Sequence, residues 1–217
     1  MRGIIGDPEI KIARFVTLGR IGDELFGLNT QSGRINRIET GDLEALLRIP
    51  LLCQIEMVGL NRHHLPDQAR PELLGGGSLR RISETVKTNR LKEQLDQHCV
   101  AENAHLLGTS GPSVAYAQLD GNRPSVALVK IHKHLAIERN TRSNKLCATF
   151  PLRANILSFP LLDARAIATF PPELDRLDKM DEISGQIGFR PRYLLVALAR
   201  VHKGYCKKVV VSVLPEL

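Results

Sequence analysis

Short runs of alternating apolar and polar residues dominate the first forty positions of the chain. Segments 11–18, 24–28 and 34–38 each have the alternation typical of a β-strand. Turn-forming residues at 19–23 and 29–33 separate these segments. Because the connections are short, we expect the three strands to form a small antiparallel meander.

A helix and a further strand are expected after the meander. Leu43, Leu46 and Leu47 repeat at the i, i+3, i+4 spacing of one helix face. This spacing predicts a short helix over 41–48, which a proline two residues later would end. The apolar residues of 51–60 predict another strand.

Residues 61–77 form the best candidate for a linker, because they are polar, contain two prolines and end in three glycines. Ser78 is then expected to cap an amphipathic helix that extends to about His98. The predicted organisation is a small β-meander region with one short helix over 1–74, followed by a helix and an antiparallel sheet region over 78–217. The alternative is one continuous domain.

The second half of the chain has the pattern of another antiparallel sheet. Segments 113–119 and 125–137 flank Asp120-Gly121-Asn122, which predicts that the two segments form a β-hairpin. Seven consecutive apolar residues at 193–199 predict a central strand that is buried on both faces. Further strands are expected at 145–150, 155–159 and 207–214, a helix at 171–183, and either element at 161–170. The expected fold class is α+β, predominantly antiparallel β-sheet with two or three helices.

Charge is distributed unevenly along this basic chain. The net charge is +7, yet residues 1–75 hold nine Lys and Arg against ten Asp and Glu. Residues 111–159 hold seven Lys and Arg against two Asp and Glu. Such a concentration favours an anionic partner, and phosphate groups are the commonest kind. The alternative interpretation is a solvated basic face.

Several classes of protein are disfavoured by the motifs that the sequence lacks. Four cysteines without a C-x-x-C pair argue against a zinc knuckle and favour buried free thiols, as in a reducing cytoplasm. Neither a P-loop nor a dinucleotide-binding fingerprint occurs, so we expect no cofactor and no metal. The longest apolar run has seven residues, so we expect a cytoplasmic protein that does not enter a membrane.

The run from Pro124 to Arg139 is the strongest candidate for chemistry. As a strand, it would place Lys130, His132 and His134 on one face. A lysine can anchor an anion, and a neighbouring imidazole can act as a general acid or base.

Three hypotheses follow from this run. The first is a protein that binds DNA or RNA through phosphate contacts on a basic sheet face. Its expected contact residues are Lys130, His132, His134, Arg139, Arg142, Lys207 and Lys208. The second is a hydrolase or nuclease-like enzyme with an anionic substrate and His132 or His134 as the acid–base group. The third is an assembly subunit that docks an acidic protein surface. The sequence leaves open the oligomeric state and whether the protein is catalytic.

Overall fold

The computed structural model describes residues 12–41, 43–62, 67–85, 88–101, 103–132 and 134–217. Within those residues, the chain forms three β-sheets and four α-helices. The expected α+β class with antiparallel sheets is confirmed, and the helices exceed the expected two or three by one.

The first sheet has seven strands in the order β5-β6-β3-β2-β1-β4-β7. The elements of this part of the chain, in order, are β1 Ile12–Ile21, β2 Glu24–Asn29, β3 Ile35–Glu39, α1 Leu43–Arg48, β4 Cys53–Val58, β5 Asn61–Arg62, β6 Leu73–Gly75 and β7 Ser78–Thr85. The predicted meander is confirmed as β1, β2 and β3, which pair antiparallel in sequence order. The short helix and the strand after it are confirmed as α1 and β4.

The remaining elements form two four-stranded sheets and three helices. They are α2 Asn89–Gln97, β8 Ser113–Ala115, β9 Val126–Lys130, β10 Ala136–Arg139, β11 Leu146–Leu152, β12 Asn155–Pro160, α3 Ala164–Thr169, β13 Arg176–Leu177, α4 Met180–Ile187, β14 Pro191–Leu198 and β15 Tyr205–Pro215. One sheet has the order β8-β15-β14-β9 and the other β12-β11-β10-β13, and every pairing in both is antiparallel.

The β8-β15-β14-β9 sheet is the middle layer of three, and we call it the central sheet. Leu194 and Val196 of β14 belong to the core that this sheet shares with β10, β11 and β12. Tyr193 and Leu195, which alternate with them, belong to the core shared with β1, β2 and α2. Both faces of β14 are therefore covered, which confirms the predicted central strand and explains why its sequence is continuously apolar.

The long helix predicted from Ser78 is wrong over its first half. Residues Ser78–Thr85 form β7, which pairs antiparallel with β4 and places Ile82 opposite Ile55. Pairing with the exposed edge of β4 satisfies the backbone hydrogen bonds of this segment. Its incomplete apolar stripe offers too little packing surface to favour a helix instead. The helix that does form is α2, and the Thr88 side chain caps it by accepting a hydrogen bond from Leu91 N.

The hairpin predicted around Asp120-Gly121-Asn122 is also wrong, although the turn itself is present. The Asp120 carboxylate accepts a hydrogen bond from Asn122 N at 3.0 Å, and Gly121 has a φ of +75°. The flanking strands β8 and β9 lie at opposite edges of the central sheet, because β14 and β15 insert between them. A local turn signal cannot reveal that a later hairpin will occupy this position.

The helix predicted over 171–183 begins later than expected. Residues Arg176–Leu177 form β13, which pairs with β10, and α4 begins only at Met180. The ambiguous segment 161–170 contains α3, whose first turn is capped by the Asp163 carboxylate.

A buried ion network joins the first sheet to the central sheet. The Glu24 carboxylate accepts hydrogen bonds from Arg37 Nε at 2.9 Å and from Arg70. Arg37 also donates from Nη1 to Leu198 O at 2.8 Å and to Ser125 Oγ at 3.2 Å. Glu24 and Arg37 are 2% and 1% exposed, so this pair depends on mutual contact rather than on water.

Candidate anion-binding cleft

The run 124–139 is two strands rather than the single strand that the sequence predicts. β9 ends at Lys130 in the central sheet, and β10 begins at Ala136 in the β12-β11-β10-β13 sheet. Val129 and Ile137 both lie in the core between these sheets. Because packed sheets stand about 10 Å apart, the chain must bend between the strands to line both sides of that core.

The connection between β9 and β10 places two histidines on the surface. Ile131 and Leu135 are 4% and 1% exposed and pack into the core. His132 and His134 are exposed. The backbone N–H of Ile131 donates to Arg192 O at 2.8 Å, which attaches the connection to β14. The histidines therefore stand on a connection that is anchored by its apolar residues.

Lys130, His132 and His134 come together, although not on one strand face. They line a cavity of about 230 Å³ with Ile131 and Pro151. A second cavity of about 520 Å³ shares Lys130 and His132 and is also lined by Asn103 and Arg153. We call the surface formed by Lys130, His132, His134 and Arg153 the basic cleft.

Arg153 enters the cleft from a tight hairpin turn. Leu152 and Asn155 pair across the β11–β12 hairpin, so Arg153 and Ala154 form its two-residue turn. Arg153 has a φ of +60°, a region that glycine normally occupies in such a turn. Its Nη1 lies 2.8 Å from Nδ1 of the His105 ring. A strained residue that carries a charged side chain into a cavity is typical of a functional position.

Lys130 is held at the edge of the cleft by an acidic partner on α2. Its Nζ lies 2.8 Å from Oδ1 of Asp96, which also accepts a hydrogen bond from Tyr193 OH at 2.9 Å. Burial raises the pKa of Asp96, but the hydrogen bonds from Lys130 and Tyr193 lower it by more, so the net direction is down. Burial and the neighbouring carboxylate raise the pKa of Tyr193. Asp96 therefore stays ionised and fixes the position of the ammonium group.

A third cavity, of about 360 Å³, opens on the other side of His132. Arg190 and Arg192 line it, together with Met180 and Glu216. His132 thus borders all three cavities, and arginine or lysine side chains line each of them.

Arg139 and Arg142 do not join the cleft. His134 precedes β10, whereas Arg139 is the last residue of this strand and Arg142 follows it, and β10 spans roughly 10 Å. The Arg139 guanidinium donates to the backbone carbonyls of Asn144 and Pro171, each at 3.4 Å. Arg142 is exposed in the turn between β10 and β11. These two arginines belong to a separate surface.

Lys207 and Lys208 also lie away from the cleft. Lys130 pairs with Tyr193 and Lys208 pairs with Leu198, so about 17 Å of β14 separates the two levels of the central sheet. Lys207 is exposed, whereas Lys208 is buried and donates from Nζ to Thr109 O at 2.6 Å. Strand alternation thus leaves Lys208 unable to reach a partner at the surface.

Sequence reasoning missed Arg153 of the basic cleft and Arg190 and Arg192 of the third cavity. Arg153 was visible only as one charge of the basic region. The two arginines near 191 are about sixty residues from His132 in sequence, and strand pairing alone brings them next to it. No local pattern in the sequence signals that contact.

The cysteine thiols do not line any of the three cavities. Cys53, Cys147 and Cys206 are buried, as expected, and burial raises the pKa of each. Burial raises the pKa of Cys99 to about 11. Among the described residues, no group of three or more His, Cys, Asp or Glu side chains is arranged to hold a metal ion. In the same part of the chain, no helix has the length and apolar character needed to cross a membrane.

The chain matches no protein-family model, no curated protein and no solved structure.

Proposed function

We propose that this protein binds nucleic acid through phosphate contacts in the basic cleft. The observation that carries the proposal is the convergence of Lys130, His132, His134 and Arg153 around two adjoining cavities. No carboxylate occurs among the described residues that line these two cavities. Asp96 offsets the charge of Lys130, and Arg153 leaves the lining of the two cavities with an excess of positive charge, which attracts anions at long range and retains them at contact.

Nucleic acid fits this surface better than an acidic protein does. The two cavities and the third beyond them adjoin at His132, which suits a chain of repeated phosphates rather than one isolated charge. The large apolar side chains that are exposed in the described ranges are Leu47, Ile82, Ile156, Ile167, Val201 and Tyr205. None of them lines these cavities, so no observation favours a protein-docking surface there.

The expected recognition is of the backbone rather than of the bases. Strong base stacking requires exposed Phe, Tyr or Trp rings, and the described lining of the cleft contains none of these. Phosphate contacts position a nucleic acid without reading its sequence. We therefore expect weak sequence preference and strong dependence on salt.

Replacing a cleft cation should weaken binding and reduce its dependence on salt. For Lys130→Gln and Arg153→Gln, we expect the slope of log K against log salt to fall by about one each, because each contact releases condensed counterions. Fluorescence anisotropy with labelled single-stranded RNA, single-stranded DNA and duplex DNA between 50 and 200 mM salt measures this slope. Thermal unfolding of each variant checks that it remains folded.

Lys207→Gln is the matched control, since it removes one exposed lysine at the other end of the central sheet. Its affinity and slope should equal those of the unaltered protein. Equal losses in Lys207→Gln and Lys130→Gln would show that only net charge matters. Binding that is independent of salt, or no binding to any of the three nucleic acids, would refute the proposal.

Catalysis on the bound backbone is the second candidate function, and the shared cavity of Lys130, His132 and His134 favours it. An imidazole can transfer protons while the ammonium group neutralises a phosphate. End-labelled RNA and DNA, incubated with the protein in the presence of EDTA, should then be cleaved. His132→Ala should abolish cleavage while oligonucleotide binding persists. An uncleaved substrate at protein concentrations that saturate binding would rule this candidate out.

A further inference from the structure

One of the arginines that line the third cavity, Arg192, has a side-chain nitrogen without a hydrogen-bond partner among the described residues. Arg192 is partly buried, and its Nε is buried and has no hydrogen-bond partner among the described residues. Buried polar groups in folded proteins are nearly always paired, and an unsatisfied guanidinium N–H is costly. Arg190 and His132 line this cavity with Arg192, so an anion bound here would meet several possible donors.

The position of Arg192 is set by the backbone on both sides of the cavity. Its carbonyl accepts a hydrogen bond from Ile131 N at 2.8 Å, and the carbonyl of Arg190 accepts one from Glu216 N at 3.0 Å. The first bond holds β14 against the connection that bears His132, and the second ties Arg190 to the segment after β15. The backbone that carries both arginines is therefore fixed before a ligand arrives, which reduces the entropy lost on binding.

We propose that this cavity binds a phosphate monoester, namely the terminal phosphate of a strand lying in the basic cleft. The inference deepens the proposed function and rests on it for the source of the ligand. A monoester carries close to two negative charges and three terminal oxygens, whereas an internal diester carries one charge and two. Two guanidinium groups and an imidazole supply enough donors for the monoester, and planar guanidinium groups bind phosphate oxygens in pairs.

Replacing Glu216 should change the affinity for phosphate in the opposite direction from replacing Arg192. Glu216 is the one carboxylate side chain among the described lining residues, and it is exposed. Its charge opposes a bound dianion, so it weakens the site without blocking it. Removing that charge should raise the affinity for a phosphate monoester.

The experiment compares oligonucleotides of one sequence that carry a 5′-phosphate, a 3′-phosphate or no terminal phosphate. We expect one phosphorylated form to bind roughly tenfold more tightly than the unphosphorylated form. Arg192→Met should bring that ratio close to one, and Arg190→Met should lower it if the first variant does not fold. Glu216→Gln should increase the ratio. Lys130→Gln should weaken all three oligonucleotides alike and leave the ratio unchanged.

The outcomes separate the two proposals. Equal binding of all three oligonucleotides would overturn the terminal-phosphate site and leave the proposed function standing. If no oligonucleotide binds, the proposed function fails, and calorimetry with adenosine monophosphate against adenosine tests the cavity alone. Binding of the monophosphate only, lost in Arg192→Met, would support the site. No difference between nucleotide and nucleoside would overturn it.

Discussion

Replacing Glu24 by glutamine should lower the free energy of unfolding by about 3–5 kcal/mol, because it leaves Arg37 as a buried charge without its principal partner. The Glu24 carboxylate also accepts hydrogen bonds from Arg70 and Arg200. A glutamine amide would present an N–H₂ group to one or more of these donors. Denaturant unfolding followed by circular dichroism measures the change.

Glu44→Gln is the matched control for this prediction. Glu44 pairs with Arg48 on α1, but both side chains are about three-quarters exposed. Such a surface pair contributes little, so the loss should stay below about 0.5 kcal/mol. Similar small losses in Glu24→Gln and Glu44→Gln would contradict the assigned role of the buried network.

The same network predicts a loss of stability in acid. Burial raises the pKa of Glu24, but Arg37, Arg70 and Arg200 lower it by more, so its net direction is down from 4.5. A carboxyl whose pKa is lower in the folded state stabilises the fold above its unfolded pKa. That contribution disappears as the pH falls from 4.5 through the folded value. Glu24→Gln should lack this component of acid unfolding.

Lys208 should make the protein more stable as the pH rises from about 8 to 10.5. Burial lowers the pKa of Lys208 from 10.5 to about 8, and no carboxylate in the described chain forms an ion pair with it. Below pH 8 the ammonium group is charged in both states, and the folded state bears the cost of burying it. Between the two values the unfolded chain holds more protons, so stability rises with pH, by on the order of 3 kcal/mol in total.

Lys208→Met should remove that rise and stabilise the protein at pH 7. The lost hydrogen bond to Thr109 O offsets about 1 kcal/mol, which leaves a gain of roughly 2 kcal/mol. Lys207→Met, at the exposed neighbouring position, should change neither quantity. Unfolding free energies from pH 7 to 10.5 for the three proteins decide the matter. A pH profile of Lys208→Met that parallels the unaltered one would show that Lys208 is not the titrating group.

Local patterns predicted the elements whose neighbours in the sheet are also neighbours in sequence. The meander β1–β2–β3 has short connections, so alternation and turn residues suffice to place it, and the strands β11, β12 and β15 were predicted close to their observed positions. The buried strand at 193–199 was predicted for a related reason. A strand covered on both faces has no polar side to interrupt its apolar run.

The errors share a physical cause in long-range pairing. Residues Ser78–Thr85 have no strong strand pattern and become a strand because β4 offers an unpaired edge. The turn at Asp120–Asn122 was recognised, but β14 and β15, more than sixty residues later, separate the strands that flank it. Propensity is a weak signal at such positions, and tertiary context overrides it.

The candidate site was likewise predicted only where it depends on local sequence. Composition and spacing alone locate the excess of positive charge and the grouping of Lys130, His132 and His134, and they predict an anionic partner. They cannot place Arg153, whose turn conformation brings it beside His105.

The sequence also treats Lys207 and Lys208 as equivalent, whereas β15 turns one outward and buries the other. Charge and hydrophobic periodicity are properties of neighbouring residues, so the sequence alone determines them. The cavities lined by Lys130, Arg153 and Arg192 require two sheets to stack, since Lys130 and Arg192 come from strands of the central sheet and Arg153 comes from a turn of the β12-β11-β10-β13 sheet. The sheets stack because both faces of the central sheet are apolar and must be buried. This burial depends on contacts across the whole folded chain rather than on any local segment.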